Sequence, residues 1–442
     1  MGTRVIRRMT DALLLVAAAI LLLIALAVPM AQAAPPTPEE DPFYNYSGST
    51  PLAEVAPGTV LKSRTLSYHA VGVPLPVKAV QLLYRSTSQL GEPTVNVTSV
   101  LKPPLSFGTP QVVAYQSFYD SLNPVDEPSY AISGGLTLGG AIPQVESALI
   151  GPELLAGRTV VVADTEGENA DFAAGPEYGM NTLDSLRAAL AAPATGLSST
   201  KKIGLIGYSG GAIATDWAAE LAPSYAPDVN AKLVGAAMGG VLVDPAHNLH
   251  YVEGSLSWAG VMPMAIIGVS RAFGIDLTPY LSEYGAQLYA KLEKASIAEA
   301  LAHYPGLTWA QMAKPEYPTP ESIPVYVHTV NQLIMGTGGT PTTPLFIGQG
   351  ALGELEGTPG DKPGIGEGDG VMIAGDVRTL ARQFCEGGDK VLYNEYPLGH
   401  IGAAVPWIAT AVPWLESRFA GTSAPSSCGG IAPGNPLTPI AE

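Results

Sequence analysis

Positive charge is scarce in this chain. Its 442 residues carry 22 Lys and Arg against 39 Asp and Glu, a formal net charge of −17 at pH 7. Binding to nucleic acid draws on clustered Lys and Arg that displace counterions from phosphates, so that class of partner is excluded. The same imbalance argues against electrostatic docking onto anionic membranes. Neutral substrates stay open. Charge of either sign is thin, at 14% of residues, while 47% are hydrophobic; this suits a large packed core and excludes a disordered chain. Cysteine is nearly missing, with Cys385 and Cys428 alone, in neither a metal nor a redox spacing. Histidine is sparse too. His247 and His250 (HNLH) come nearest to a metal pair, and no third ligand lies near them, so no metal and no other cofactor is expected. Beyond the N-terminus no hydrophobic run approaches the roughly 20 residues that a membrane span needs.

The N-terminus itself reads as an export signal. Arg4, Arg7 and Arg8 form a basic start, an apolar run extends from Ala12 to Val28, and Ala31-Gln32-Ala33 supplies a small-x-small cleavage site. Cleavage near Ala33 would deliver the protein outside the cell or to its envelope. In an exported protein an even pair of cysteines favours a disulfide, Cys385–Cys428, which would tie the Pro, Gly and Ser-rich tail to the last part of the fold.

Residues 34–60 are Pro-rich and read as an extended leader. Lys78–Leu83 and Pro93–Val100 are β-branched runs suited to an antiparallel edge. Six short segments then run apolar without alternation: Gln111–Gln116, Arg158–Asp164, Lys202–Tyr208, Lys232–Met238, Pro344–Gly348 and Lys390–Tyr396. Such runs suit parallel strands covered on both faces. Helical patterns alternate with them, as at Tyr178–Ala192 and Gly211–Ala222, so the fold class is α/β, a mostly parallel central sheet flanked by helices. From about Asp244 to Pro341 the rhythm breaks into helical segments, including Tyr280–Ala302 and the apolar Trp258–Phe273. An apolar helical insertion between core strands reads as a cap over a greasy pocket. The chain thus divides into a signal peptide (1–33), the leader (34–60), the first part of the core (61–243), the cap (244–341), and the second part of the core with the tail (342–442).

Gly207-Tyr208-Ser209-Gly210-Gly211 fits G-x-S-x-G. It follows the strand KIGLIG directly and precedes the helix former AIATDWAAELA. Strand, sharp turn and helix are the setting of a nucleophile elbow, in which Ser209 attacks and the following helix N-terminus aims N–H groups at developing negative charge. A serine needs a base. In this architecture the base follows the last strand, which selects His400, at the end of KVLYNEYPLGH. The acid should lie at 349–377, where Glu354, Glu356, Asp361, Glu367, Asp369 and Asp376 all stand as candidates. Asp369 has one local argument, since it closes a glycine-rich loop and opens the helix-like VMIAGDVRTLARQF. One oxyanion donor is the N–H of Gly210; the second is expected from the loop SFYDSLNP, near Asp120.

These residues resemble the secretory lipase family of α/β-hydrolases, the yeast lipase A type. The resemblance is carried by AYQSFYDSLNPVDEPSY (114–130), VVVADTEGENADFAAGPEYGMNTLDSLRA (160–188), IGYSGGAIATDWAAELAPSYAPDV (206–229), DGVMIAGDVRTLARQFC (369–385) and YPLGH (396–400). It spans nearly the whole mature chain, and it implies the α/β-hydrolase fold, Asp369 as the acid, the backbone N–H of Asp120 as oxyanion donor and a Cys385–Cys428 bridge. The chain departs from the family pattern in a long Gly/Glu insert, LGELEGTPGDKPGIGEGDG (352–370), and in Gly370-Val371-Met372, where the family has a proline.

The expected activity is hydrolysis of carboxylic esters, with neutral lipid as substrate and a transient lipid interface as the site of contact. Trp258, Met262, Met264, Ile266 and Phe273 are expected to line an acyl tunnel. An acyltransferase would use the same triad with an alcohol as acceptor. A peptidase would call for charged groups to hold peptide ends, against the apolar cap. A lipid-binding envelope protein would have no reason to keep the elbow.

Overall fold

The start of the sheet alternates between covered and exposed positions in its first strand and the first half of its second, then is buried on both faces. In the computed structural model, which describes residues 34–106 and 108–441, Val60–Ala70 (β1), Val73–Thr87 (β2) and Pro93–Leu101 (β3) form an antiparallel edge. The expected export signal at 1–33 lies outside the described residues. Continuous apolar runs form the rest of the sheet: Gln111–Gln116 (β4), Thr159–Ala163 (β5), Lys202–Tyr208 (β6), Leu233–Gly239 (β7), Leu345–Gly350 (β8) and Val391–Tyr396 (β9). The nine strands lie in the order β1-β2-β3-β5-β4-β6-β7-β8-β9, and every pair from β5 to β9 is parallel.

Helices of eight or more residues are labelled α1 (Ser147–Leu155), α2 (Gly175–Ala191), α3 (Gly210–Tyr225), α4 (Pro245–Val252), α5 (Val261–Ala272), α6 (Glu283–Leu292), α7 (Ala374–Glu386) and α8 (His400–Phe419). One face of the sheet is covered by α2, α3 and α7, through Leu183, Ile213, Trp217, Leu380 and Phe384. The other is covered by α1 and α8, through Leu154, Trp407, Trp414 and Leu415. Two glycines set how closely α8 approaches. Side chains at Gly239 and Gly348 would meet the Trp407 indole, whose Nε1–H donates to the Met238 carbonyl at 2.9 Å. From Pro36 onward the chain forms one compact unit.

The segment between β7 and β8 is helical and has its own apolar cluster, built from Trp258, Met262, Met264, Ile267, Trp309 and Tyr326 with Phe172 and Met372 from the core side. The single helix expected over Tyr280–Ala302 is two. Ser282 starts α6 by accepting the N–H of Gly285, and a capping box at Ser296 and Glu299 starts a further turn at Ile297–Ala300. The leader is not a loose extension. Phe43, Tyr44, Tyr46 and Leu52 pack on Leu83, Val95 and Val97 of the antiparallel edge, and Arg64 stacks 4.0 Å over the Phe43 ring. Aromatic residues, not the prolines around them, decide how that stretch packs. Cys385 and Cys428 are bridged, which joins the end of α7 to the tail.

Candidate active site

Ligand sites of open parallel sheets form where the chain leaves the carboxyl ends of the strands. Four such exits meet here. β6 runs straight into Ser209, whose backbone is held at φ 55°, ψ −124° before α3 starts at Gly210. A side chain at Gly207 would collide with the Gly211 carbonyl, and one at Gly211 with the Gln116 carbonyl. Only glycine allows this turn to close against β4, which is why both flanking positions of the pentapeptide are glycines.

His400 is the first residue of α8, placed by the exit from β9. Its Nε2 lies 2.8 Å from Ser209 Oγ and its Nδ1 2.7 Å from Asp369 Oδ2. Asp369 belongs to the loop after β8. Its Oδ1 accepts the N–H groups of Val371 (3.1 Å) and Met372 (2.7 Å), and its Oδ2 accepts the Gln349 side-chain amide at 2.9 Å. The backbones are tied as well, with His400 N–H donating to the Asp369 carbonyl at 2.6 Å. These local bonds explain a difference from the helix pattern read in sequence. A carboxylate that takes the N–H groups two and three residues ahead competes with helix formation, so α7 begins at Ala374 and not at Asp369.

The other candidate acids stand elsewhere. Glu354, Asp361 and Glu367 are exposed. Asp376 is buried, 3.0 Å from His247 Nδ1 and accepting the Asn435 amide at 2.7 Å. Glu356 is half-buried and bonds to Trp258 and Ile401. His250 pairs with Glu321 at 2.5 Å, and His69 contacts the Ile132 carbonyl at 3.2 Å. Among the described residues no group of three His, Cys, Asp or Glu is placed to hold a metal.

The loop after β4 brings Asp120 against Gly210, with Asp120 also in a left-handed conformation (φ 39°). Among the described residues no acceptor takes the backbone N–H of Asp120 or of Gly210. Both residues and Ser209 line a single cavity. Two bare N–H groups beside a serine hydroxyl can bind an oxygen that becomes negative. Burial lifts the Asp120 carboxyl to about 7, against a smaller opposing pull from His400. Burial pushes the His400 imidazole down, but Asp369, then Glu356 and Asp120, outweigh it and leave the ring more basic than usual.

The cavity wall is apolar. Trp258, Met262 and Ile266 contribute to it, with Val269, Leu277, Tyr326 and Met372. Met264 is fully buried in the packing behind that wall, and Phe273, just past the end of α5, does not reach the cavity. Met264 lies two positions from both Met262 and Ile266, and neighbours two positions apart on a helix face different ways.

Sequence reasoning passed over Gln349, which also accepts the Val241 N–H at 3.1 Å. It passed over the Tyr208 hydroxyl too, which donates to the His400 carbonyl at 2.5 Å. A polar residue at the end of an apolar strand was the available signal for Gln349.

The secretory lipase family profile matches residues 134–361. The chain is 31% identical over 394 residues to a protein of Mycobacterium tuberculosis named a probable inactive lipase, covering 88% of this chain and 83% of that one. It is 30% identical over 368 residues to lipase 1 of Candida albicans, covering 79% and 73%. Among solved structures, Candida antarctica lipase A in its closed state matches with a TM-score of 0.75 at 27% identity, over 91% of each chain. A protein of Legionella pneumophila, at 16% identity and a TM-score of 0.62, shares the fold. Likeness that runs through most of the chain, and not through the elbow alone, makes this protein a member of the secretory lipase family, with the α/β-hydrolase fold.

Proposed function

We propose that the chain is an exported lipase or esterase that hydrolyses hydrophobic carboxylic esters, triacylglycerols among them, through Ser209, His400 and Asp369. The observation that carries this reading is the unbroken hydrogen-bonded line from Ser209 Oγ through His400 to Asp369 beside an apolar cavity. Ser209 attacks the ester carbonyl while His400 Nε2 takes its proton. The N–H groups of Gly210 and Asp120 bind the tetrahedral oxyanion. His400 returns the proton to the leaving alcohol, and water then cleaves the acyl-enzyme by the same route. Asp369 holds the imidazole in the tautomer with Nδ1 protonated and stabilises the imidazolium. These steps use no metal and no organic cofactor. The acyl chain lies along the wall of Trp258, Met262 and Ile266, and the helical segment between β7 and β8 acts as the cap. The acidic surface does not repel a neutral lipid. Export is supported by the basic start, the apolar run and the Ala31-Gln32-Ala33 site.

A second reading, a member of the family that does not hydrolyse esters, has the name of the mycobacterial relative in its favour. One experiment separates the two. The protein and its Ser209→Ala variant are assayed on p-nitrophenyl esters of rising chain length and on emulsified triacylglycerol. Equal rates from both would sink the mechanism, and activity on short soluble esters alone would make the protein an esterase.

A further inference from the structure

The Gly/Glu-rich insert before Asp369 plays no part in the steps above, yet one of its carboxylates lies against the glycines next to His400 and Asp369. Glu356 ends the short turn Gly353–Glu356, which Gly357 closes in the left-handed conformation (φ 82°). Its Oε1 accepts the N–H of Ile401 at 2.8 Å, and its Oε2 accepts the indole N–H of Trp258 at 2.8 Å. Helix α8 starts at His400. The first N–H groups of a helix have no partner within it, so Glu356 caps α8 from outside and sets a negative charge at the positive end of its dipole. Trp258 stands edge-on to the His400 ring, with centroids 5.2 Å apart, and lines the cavity.

Two glycines form the slot that holds this carboxylate. Gly399 directly precedes His400, and a side chain there would collide with Glu356 Oε1. Gly370 directly follows Asp369, and a Cβ there would lie 3.1 Å from Glu356 Oε2 and 2.9 Å from Trp258 Nε1. Each triad partner of Ser209 is thus flanked by a residue without a side chain at the point where Glu356 enters. Gly370 has φ 122°, which residues with side chains rarely adopt.

We infer that Glu356 is a positioning residue for ester hydrolysis: it fixes the N-terminus of α8 and with it His400, holds Trp258 against the imidazole as part of the acyl wall, and places a second negative charge beside the ring. This rests on His400 being the base, as proposed above. The groups facing His400 from the elements around it are Asp369 from the loop after β8, Asp120 from the loop after β4, Tyr208 and Ser209 from the exit of β6, and Glu356 itself.

The test uses Glu356→Gln, which keeps the size and an acceptor but removes the charge, and Glu356→Ala, which removes both. The full chain is labelled at its histidine Cε1 positions and titrated by NMR; the His400 resonance is the one lost in His400→Asn. In Glu356→Gln it titrates lower than in the unsubstituted protein by on the order of half a pH unit. On a soluble p-nitrophenyl ester, kcat falls several-fold with KM little changed, and the acid limb of kcat/KM moves down with the NMR titration. Glu356→Ala loses more. An unmoved His400 titration in both variants overturns the inference, whether kcat is kept or lost, because a loss of rate alone would leave Glu356 a packing residue. If the unsubstituted protein hydrolyses no ester, the functional reading fails, while the NMR titration still decides whether Glu356 acts on His400.

Discussion

Asp120 and Gly210 touch so closely that no side chain fits between them: a Cβ built on Gly210 would overlap the Asp120 carboxylate. The two come from different exits of the sheet, after β4 and after β6. Their contact therefore sets the spacing of the two bare N–H groups beside Ser209. Gly210→Ala pushes the Asp120 loop away and spreads that pair. Loss of one oxyanion donor costs about 10²–10³ in kcat, and a loss of that size is expected, with near-UV circular dichroism unchanged because the rest of α3 is untouched. A Gly210→Ala protein with full activity would show that these two N–H groups do not hold the oxyanion.

The acid is tested by contrast. In Asp369→Asn the amide can donate to Nδ1 and so favours the wrong imidazole tautomer. A fall of about 10⁴ in kcat is expected, by analogy with the same change in a serine protease triad. Asp376→Asn disturbs a buried contact with His247 and Asn435 that lies away from Ser209. It should keep kcat and lose about 1–3 kcal/mol of stability, as expected when a buried hydrogen-bonded carboxylate is altered. Activity assays and urea unfolding of the two variants check both halves. The opposite pattern would reassign the acid.

The parallel strands were legible because each is a short apolar run with no alternation, a pattern that few other structures produce. The elbow was legible because glycines flank Ser209 at both places where the turn leaves no room. The loop at 352–373 was not. Its glycines carry no period, and apart from one local argument only the family resemblance set Asp369 above its rivals, whereas the backbone shows why: Asp369 turns inward and takes its own loop's N–H groups. The role of Glu356 was not legible, because its partners Trp258 and Ile401 lie far away in sequence. The helical, apolar character of the segment between β7 and β8 was legible, but which residues of α5 face the cavity depended on where that helix begins. A shift of two residues separates Met262, on the wall, from Met264 behind it.

Buried carboxyls should make this protein most stable in mild acid. Burial raises Glu146 to about 8, Asp120 to about 7 and Asp184 to about 6. It also raises Glu166, and the paired acids Asp216 and Glu220. In the unfolded chain these groups ionise near their ordinary values of 3.8 and 4.5. Between the two values the unfolded state releases protons that the folded state keeps. Their contribution is therefore fully present below about pH 4 and is lost as pH rises toward about 8. Glu321 runs the other way: its burial is outweighed by the His250 hydrogen bond, and it falls to about 2. Its contribution is lost only as the medium becomes more acidic than its ordinary value. Tm is expected to peak near about pH 4.5 and to fall by several degrees by about pH 8. Glu146→Gln should flatten the upper part of that curve. A Tm that rises between those pH values would contradict the assignment.

Chain-length preference should follow the wall of the cavity and not the core behind it. Each methylene of an acyl chain that leaves water is worth about 0.8 kcal/mol, so kcat/KM should climb with chain length until the cavity is filled. Ile266 is a half-buried wall residue. Ile266→Trp fills part of the space, so the optimum should move to shorter esters while butyrate hydrolysis changes little. Met264 is fully buried and packs among Trp258, Met262 and Ile267 without lining the cavity. Met264→Ala should cost about 2–5 kcal/mol of stability, the usual range for emptying a buried site of that size, and should leave the order of preferred esters as it was. Rates on an ester series and chemical unfolding of both variants decide this. If Met264→Ala shifts the ester preference and Ile266→Trp does not, the acyl chain does not lie in this cavity.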